Sequence, residues 1–566
     1  MFSSGIVRPG VASAINRVDL SSSLAAKPVL LPLLLLVTAA WFLIGNWMWP
    51  LLNPDEGRYV GVALEMLQAH RWDTPLLNGM PYFHKPPLFY WLTAASLSAF
   101  GQNEFAARLV PALAGLVMVG TLFVFVRRFV DTTRALTASI ILAATPLMFG
   151  AAHYANLDLL VAALISSTIL CGASAVLLHQ QGHSYLRLVL MMYLFAALGF
   201  LAKGLIGFVL PGAVLLCWLL VERCYRSILV LLRIPGIVLF FAIVAPWLVL
   251  MQWRYPGFLQ YYLVYQQLAR FTQGGFNNVM PVWFYLAILL GSMAPWYRKC
   301  TFSVFTGSYW REENNASVRR LMWIWLAVIL VFFSIPQSKL VGYILPVLPS
   351  LAFLFAEFFP AAGRAATVRL GFIDSQAMPA QQEQRNRPAG AASVQFIARV
   401  LLCVTVGVGG LAYLGTAALP GSSLTATAIR QAPPLPGQAD RYYSLDFYPF
   451  DFGFYMGNHP ALTVVSDWAD SQVSSKDTWR KELWDAHKFD AANSAYRFAL
   501  PDAFQRTLCV PANDRRWILG DTRRMGDFPE WANIKPYFTD GRRSVYLLPA
   551  GAVMPRCRAG ANTMGQ

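Results

Sequence analysis

Apolar positions in this chain come in long runs separated by short charged stretches. Runs at 29–49, 109–126, 136–152, 157–178, 186–201, 205–221, 234–251, 321–335, 343–359 and 396–419 hold few Asp, Glu, Lys or Arg. A helix needs about 20 residues to cross a hydrocarbon core of ~30 Å, so this pattern predicts about eleven to thirteen membrane-spanning helices. The first run follows Arg8, Arg17 and Lys27 and has no small-residue cleavage site before Asn53, which predicts an uncleaved first span and not a signal peptide. Beyond 419 the pattern changes. The stretch 430–441, RQAPPLPGQADR, reads as a Pro-rich boundary. After it, the alternation at 461–465 and 544–548 reads as short strands and 477–487 as a helix. The expected architecture is a polytopic α-helical membrane part, 1–419, followed by a C-terminal extracytoplasmic α/β domain, 420–566.

Composition supports the membrane reading. Of 566 residues, 56% are hydrophobic and 13% charged, with mean hydropathy +0.47, against about 25% charged in soluble domains. The net charge of +16 is unevenly placed: 28 basic and 14 acidic residues precede 420, against 17 and 15 after it. The terminal domain is thus nearly neutral. No basic soluble domain exists to bind nucleic acid. With Arg8, Arg17 and Lys27 cytoplasmic, basic stretches at 127–128, 183–187, 223–226, 298–320 and 364–388 return to the same side. Residues 53–85, Asp158, Lys203, 253–278 and 334–341 then fall on the outer side. Cys171, Cys217, Cys224, Cys300 and Cys403 lie in or at the ends of spans, where they act as small apolar residues. Cys509 and Cys557, both in the outer domain, are the expected disulfide.

The candidate chemistry lies on the outer side. NPDEGRY, 53–59, puts Asp55, Glu56 and Arg58 at the mouth of the first span. An interfacial charge cluster is the plain explanation. The chemical one is a carboxylate held ionised by a fixed guanidinium, with Glu56 turned away from Asp55 on a helix. In PYFHKPPLFYW, 81–91, the Pro-Pro pair extends the backbone at Lys85 and aims one ammonium at the membrane surface. Asp158 begins a span, and an ionisable residue there reads as functional. Arg58, Lys85, Lys203, Arg270 and Lys339 are five cations on the side that topology keeps poor in them, and they call for an anionic partner such as lipid phosphate. Arg270 lies in YYLVYQQLARFTQGG, 261–275, read as an interfacial helix; Lys339 and Tyr343 lie in a Pro-bounded loop entering the next span.

Taken together, NPDEGRY, the stretch 72–87 (WDTPLLNGMPYFHKPP) and YANLD at 154–158 resemble the GT-C type membrane glycosyltransferases, which use polyprenyl-phosphate sugars. FLAKGLIGFVLPG, 200–212, and SKLVGYILP, 338–346, are most similar to the bacterial lipid A aminoarabinose transferases. His84 stands where many relatives carry an acidic residue. The resemblance implies an inverting transfer of 4-amino-4-deoxy-L-arabinose from undecaprenyl phosphate to a lipid A phosphate at the periplasmic face of the inner membrane, conferring resistance to polymyxin and other cationic peptides. It implies Asp55 as the catalytic carboxylate and Asp158 as a second one. Arg58, Lys85, Arg270 and Tyr343 would hold the undecaprenyl phosphate beside Lys203 and Lys339, with Tyr59 and Tyr82 lining the site. Many GT-C enzymes use a divalent metal, for which Asp55 with His84 is the available pair, and two ligands make a weak site. A lipid A phosphate is largely ionised, so Asp55 need not be a strong base; a protein O-mannosyltransferase, the alternative enzyme, needs one for its neutral hydroxyl acceptor. A transporter would carry internal repeats and midplane charges, and neither is seen.

Overall fold

In the computed structural model the described residues are 29–269, 278–297, 309, 315–359, 389–417, 422–432, 439–457, 460–523, 531 and 534–554. The membrane part is built from α1 (Leu30–Leu43), α2 (Asp55–Gln68), α3 (Leu88–Phe100), α4 (Glu104–Phe129), α5 (Thr132–Ala144), α6 (Pro146–Ala152), α7 (Asp158–Gln180), α8 (Leu186–Lys203), α9 (Ile206–Val221), α10 (Ile234–Arg254), α11 (Phe284–Met293), α12 (Ala316–Ser334), α13 (Leu348–Ala356) and α14 (Ala389–Ala417).

Among the described residues, α4, α7, α8, α10 and α12 are long and apolar enough to cross a membrane. The pair α5 and α6, bent by 63°, makes a sixth candidate, and six further apolar helices run 10–17 residues. At 1.5 Å per residue those short helices measure about 15–26 Å, less than the ~30 Å core. The expected count of spans is reached only with them included. The break between α5 and α6 falls at Thr145, whose position before Pro146 excludes helical backbone (ψ 127°). The N-terminus of α4 is capped by the Asn103 side chain, which accepts from Ala106 N at 2.9 Å, and its last turn carries Arg127 and Arg128. Both ends therefore complement the helix dipole. The most enclosed helix is α7, packed against α4, α8 and α9.

A buried ion pair ties α2 to α4. Arg108 of α4 donates through Nε and a terminal nitrogen to both oxygens of Glu56 at 2.8 and 2.7 Å, and also to the carbonyls of Asn46, Trp49 and Pro50. Glu56 accepts in addition from Leu52 N and Ala155 N. Both side chains are fully buried. At the opposite end, Arg320 pairs with Glu222 and Arg319 with Glu357.

The C-terminal residues form a six-stranded sheet of β3 (Asp440–Leu445), β4 (Leu462–Val465), β5 (Phe498–Ala499), β6 (Arg515–Asp521), β7 (Phe538–Thr539) and β8 (Arg543–Leu548) in the order β5-β4-β3-β6-β8-β7. The pairs β3–β4, β3–β6 and β4–β5 are parallel, while β6–β8 and β7–β8 are antiparallel. The near-continuous burial of β6 fits a central strand covered on both faces. The expected strands at 461–465 and 544–548 are β4 and β8, and the expected helix is α15 (Trp479–His487).

This sheet region sits directly on α2. A Cβ at Gly57 would approach Asp451 N to 2.8 Å, and one at Gly61 would approach Phe450 O to 2.8 Å. Two glycines four apart thus open a groove on one helix face for the 450–451 backbone. The dipeptide between β1 (Leu76–Leu77) and β2 (Met80–Pro81) adds a second anchor, since the Asn78 side chain donates to Leu462 O at 2.9 Å and accepts from Leu462 N at 3.1 Å. Cys509 is disulfide-bonded; Cys557 and Cys300 lie outside the described residues.

Candidate active site

Asp55 opens α2 and Arg58 follows one turn later, so both project from the first turn toward the outer domain. One terminal nitrogen of Arg58 donates to Asp55 and the other to Glu482 of α15. The guanidinium also lies over the rings of Tyr59 (5.5 Å) and Phe450 (5.7 Å). Tyr154 OH approaches the other Asp55 oxygen at 3.4 Å. The Asp55 side chain remains 31% exposed, against 18% for Arg58 and 11% for Glu482, so Asp55 is the most accessible member of this trio. Glu56, its neighbour in sequence, points the other way into the Arg108 pair, as 100° of helical rotation per residue requires.

Tyr59 and Tyr82 do not line open space. Each is nearly fully buried and packs around Arg58. Tyr59 stacks on Tyr90 and meets Phe89 edge-on; Tyr82 donates to the second Glu482 oxygen at 3.1 Å and stacks on His84 at 4.6 Å. Burial pushes the Tyr82 phenol well above its ordinary value, with Glu482 adding to the rise, which keeps it a neutral donor. Burial likewise raises Tyr59, opposed by Arg58 and reinforced by Tyr90, Asp158 and Asp55. Tyr59 is therefore within electrostatic reach of both carboxylates singled out in the sequence.

Asp158 and Lys203 form a second cluster. Asp158 is the first residue of α7 and Lys203 the last of α8, and the two pair directly. The Lys203 ammonium lies 4.0 Å from the Tyr343 ring centroid. Gly342 permits this closeness, because a Cβ there would come within 2.2 Å of an Asp158 oxygen. Lys203 thus carries a resident counter-ion. Lys339 is buried, and its ammonium donates to the carbonyls of Met280 and Pro336, which ties segment 278–280 to segment 336–339. Lys85 is half-buried beside His84. Arg270 lies outside the described residues; the segment before it, Gln260–Ala269, is a π-helix.

His84 and Asp55 each face a different protein partner. Asp55 is engaged by Arg58 and Tyr154, whereas His84 Nε2 faces Asp485 at 4.0 Å. Asp485 in turn is opposed by Lys481 at 3.3 Å and Lys488 at 2.9 Å and accepts from Tyr261 OH at 3.3 Å. Among the described residues no three His, Cys, Asp or Glu gather as a metal site would require, and the carboxylates here are matched by cations.

Sequence reasoning missed Glu482 and Asp485. They lie on the helix expected at 477–487, three residues apart, and their i, i+3 spacing on an amphipathic helix is the signal available. It also left Tyr154 without a role, although that residue opens the YANLD motif.

The family model for dolichyl-phosphate-mannose-protein mannosyltransferases matches residues 84–250. The undecaprenyl phosphate-alpha-4-amino-4-deoxy-L-arabinose arabinosyl transferase of Aeromonas hydrophila is 29% identical over 312 residues, which is 54% of this chain and 56% of that protein. Its counterpart from Pectobacterium carotovorum is 29% identical over 336 residues, 58% of each chain. The matched segment spans little more than half the length of these curated relatives. In structure, ArnT from Cupriavidus metallidurans bound to undecaprenyl phosphate superposes with a TM-score of 0.70 at 24% identity, covering 91% of this chain and 97% of that one. The chain shares the fold of that structure, as its motifs implied.

Proposed function

We propose that this protein is an inverting glycosyltransferase that moves 4-amino-4-deoxy-L-arabinose from undecaprenyl phosphate to a phosphate of lipid A. It would act at the periplasmic face of the bacterial inner membrane, with the domain from 420 onward roofing the site. The observation that carries this reading is the Asp55–Arg58 pair in the first turn of α2, closed from above by Glu482. A fixed cation and an accessible carboxylate side by side at a membrane surface suit a lipid phosphate and an amino sugar. The likeness to the aminoarabinose transferases and the shared fold support the choice of substrates.

In the reaction, an acceptor phosphate oxygen attacks C1 of the sugar. The C1–O bond to the donor breaks, and its electron pair leaves on undecaprenyl phosphate. That leaving group is stable as an anion, so it needs charge stabilisation more than a proton; Arg58, Lys85 and Arg270 supply it. The acceptor is already ionised, and Asp55 therefore works by orienting the sugar through its ammonium and not as a strong base. Asp158 and Lys203 form a neutralised wall with Tyr343 behind the sugar. Each transfer places a cation on a lipid A phosphate and weakens the surface charge that draws cationic peptides.

Mass spectrometry of lipid A tests this reading. Expressing the protein in a strain lacking aminoarabinose transfer is expected to add the aminopentose mass and raise polymyxin resistance; R58A and D55N abolish both at wild-type protein levels. Lipid A that stays unmodified with wild-type protein overturns the assignment. The mannosyltransferase family match over 84–250 favours protein mannosylation as the second reading, which the same strain detects as glycopeptides with intact lipid A.

A further inference from the structure

Arg58 has both terminal nitrogens on carboxylates, Asp55 within its own helix and Glu482 from α15. The helix that presents Glu482 is anchored independently. Asp485, one turn on, is 2% exposed; it accepts from Tyr261 OH, outside the helix, at 3.3 Å and pairs with Lys481 and Lys488 at the two ends of its own helix. Glu482 therefore reaches toward Arg58 from a fixed base, its second oxygen steadied by Tyr82 OH at 3.1 Å. Exchange of Glu482 for another anion on Arg58 breaks only side-chain contacts, the Arg58 ion pair and the Tyr82 hydrogen bond.

The reaction makes that exchange matter. The donor is a phosphodiester with one negative charge. Once the C1–O bond has broken, the lipid product is a phosphomonoester whose second ionisation lies near pH 6, so that it carries about −1.5 to −2 charges at pH 7. A cation that holds the donor will hold this product more tightly, and tightly held product limits turnover. We propose that Glu482 is a product-release residue: its carboxylate competes for Arg58 and displaces the polyprenyl phosphate monoester after each transfer. This rests on the reading of Arg58 as a donor-phosphate contact. The step makes and breaks no covalent bond and moves no proton; one anion replaces another on a guanidinium. It also explains why a second carboxylate, which weakens donor binding, sits on the cation that binds the donor.

The test uses the full-length protein in nanodiscs with undecaprenyl phosphate as the probe, in wild type, E482Q, E482A and R58A. Removing the competing charge is expected to tighten undecaprenyl phosphate binding about tenfold in E482Q, equivalent to about 1.4 kcal/mol. The inhibition constant for added undecaprenyl phosphate in the transfer assay falls by a similar factor. Unchanged or weaker binding in E482Q overturns the release role, and E482A gives the same decision if the glutamine disturbs the Tyr82 contact. R58A separates the two ideas. If it loses binding while neither Glu482 variant gains any, only the release role fails; if it binds like wild type, the phosphate-contact reading fails and the release role goes with it.

Discussion

Glu56 and Arg108 meet as a bidentate pair at complete burial, with the remaining Arg108 donors spent on three carbonyls and the Glu56 oxygens also taking two backbone amides. Removing one partner strands the other charge without water, at a cost of about 3–5 kcal/mol. E56Q and R108M are each expected to lower the melting temperature of the detergent-purified protein sharply. Thermal unfolding followed by tryptophan fluorescence reads this directly. A variant that melts with wild type would show that the pair does not hold α2 to α4.

Arg58 stands apart from that framework. R58A is expected to reduce kcat/KM by about 100-fold or more, the size of losing one charge-stabilising donor. R58K recovers only part of this, since an ammonium cannot present two nitrogens in a planar fork. Transfer assays with purified donor and lipid A measure both, and full activity in R58A would refute its role.

Asp158 and Lys203 are expected to behave as one unit. D158N leaves the Lys203 ammonium without its counter-ion, and K203M does the reverse. The double variant D158N/K203M should be more stable than the sum of the singles predicts, by about 0.5–3 kcal/mol of coupling. Additive melting shifts would mean that the two groups do not interact in the folded protein.

Cysteine labelling checks the outer domain. Under denaturing, non-reducing conditions Cys171, Cys217, Cys224, Cys300 and Cys403 are expected to take a maleimide. Cys509 and Cys557 should take it only after reduction, consistent with the bonded state of Cys509. Mass mapping of labelled peptides decides it, and a free Cys557 before reduction would break the pairing.

Much of this was legible in the sequence, for identifiable reasons. Span positions follow from burial of apolar runs, which is local, and the ends of α4, α7, α8 and α10 fall within a few residues of the runs that predicted them. Asp55 and Arg58 were legible because a single helical turn brings them together. Glu482 was not, since its meeting with Arg58 depends on how the outer sheet seats on α2, and no periodicity within 479–487 encodes that docking. The same holds for Lys203: its position at a turn was readable, but not the Asp158 carboxylate that neutralises it from another helix. The Asp485 carboxylate that faces His84 was likewise not legible, because it is distant in sequence.

The groove made by Gly57 and Gly61 has a consequence for biosynthesis. The backbone that fills it is at 450–451, and the carboxylate that completes the Arg58 cluster is 424 residues downstream of that arginine. Every segment from α3 to α14 lies between α2 and this partner in the chain, so the ribosome has made them all before α2 acquires its final neighbour. A chain lacking this last portion holds Arg58 and Asp55 without Phe450 and Glu482 beside them, so the charge environment of the pair is completed only by the C-terminal residues.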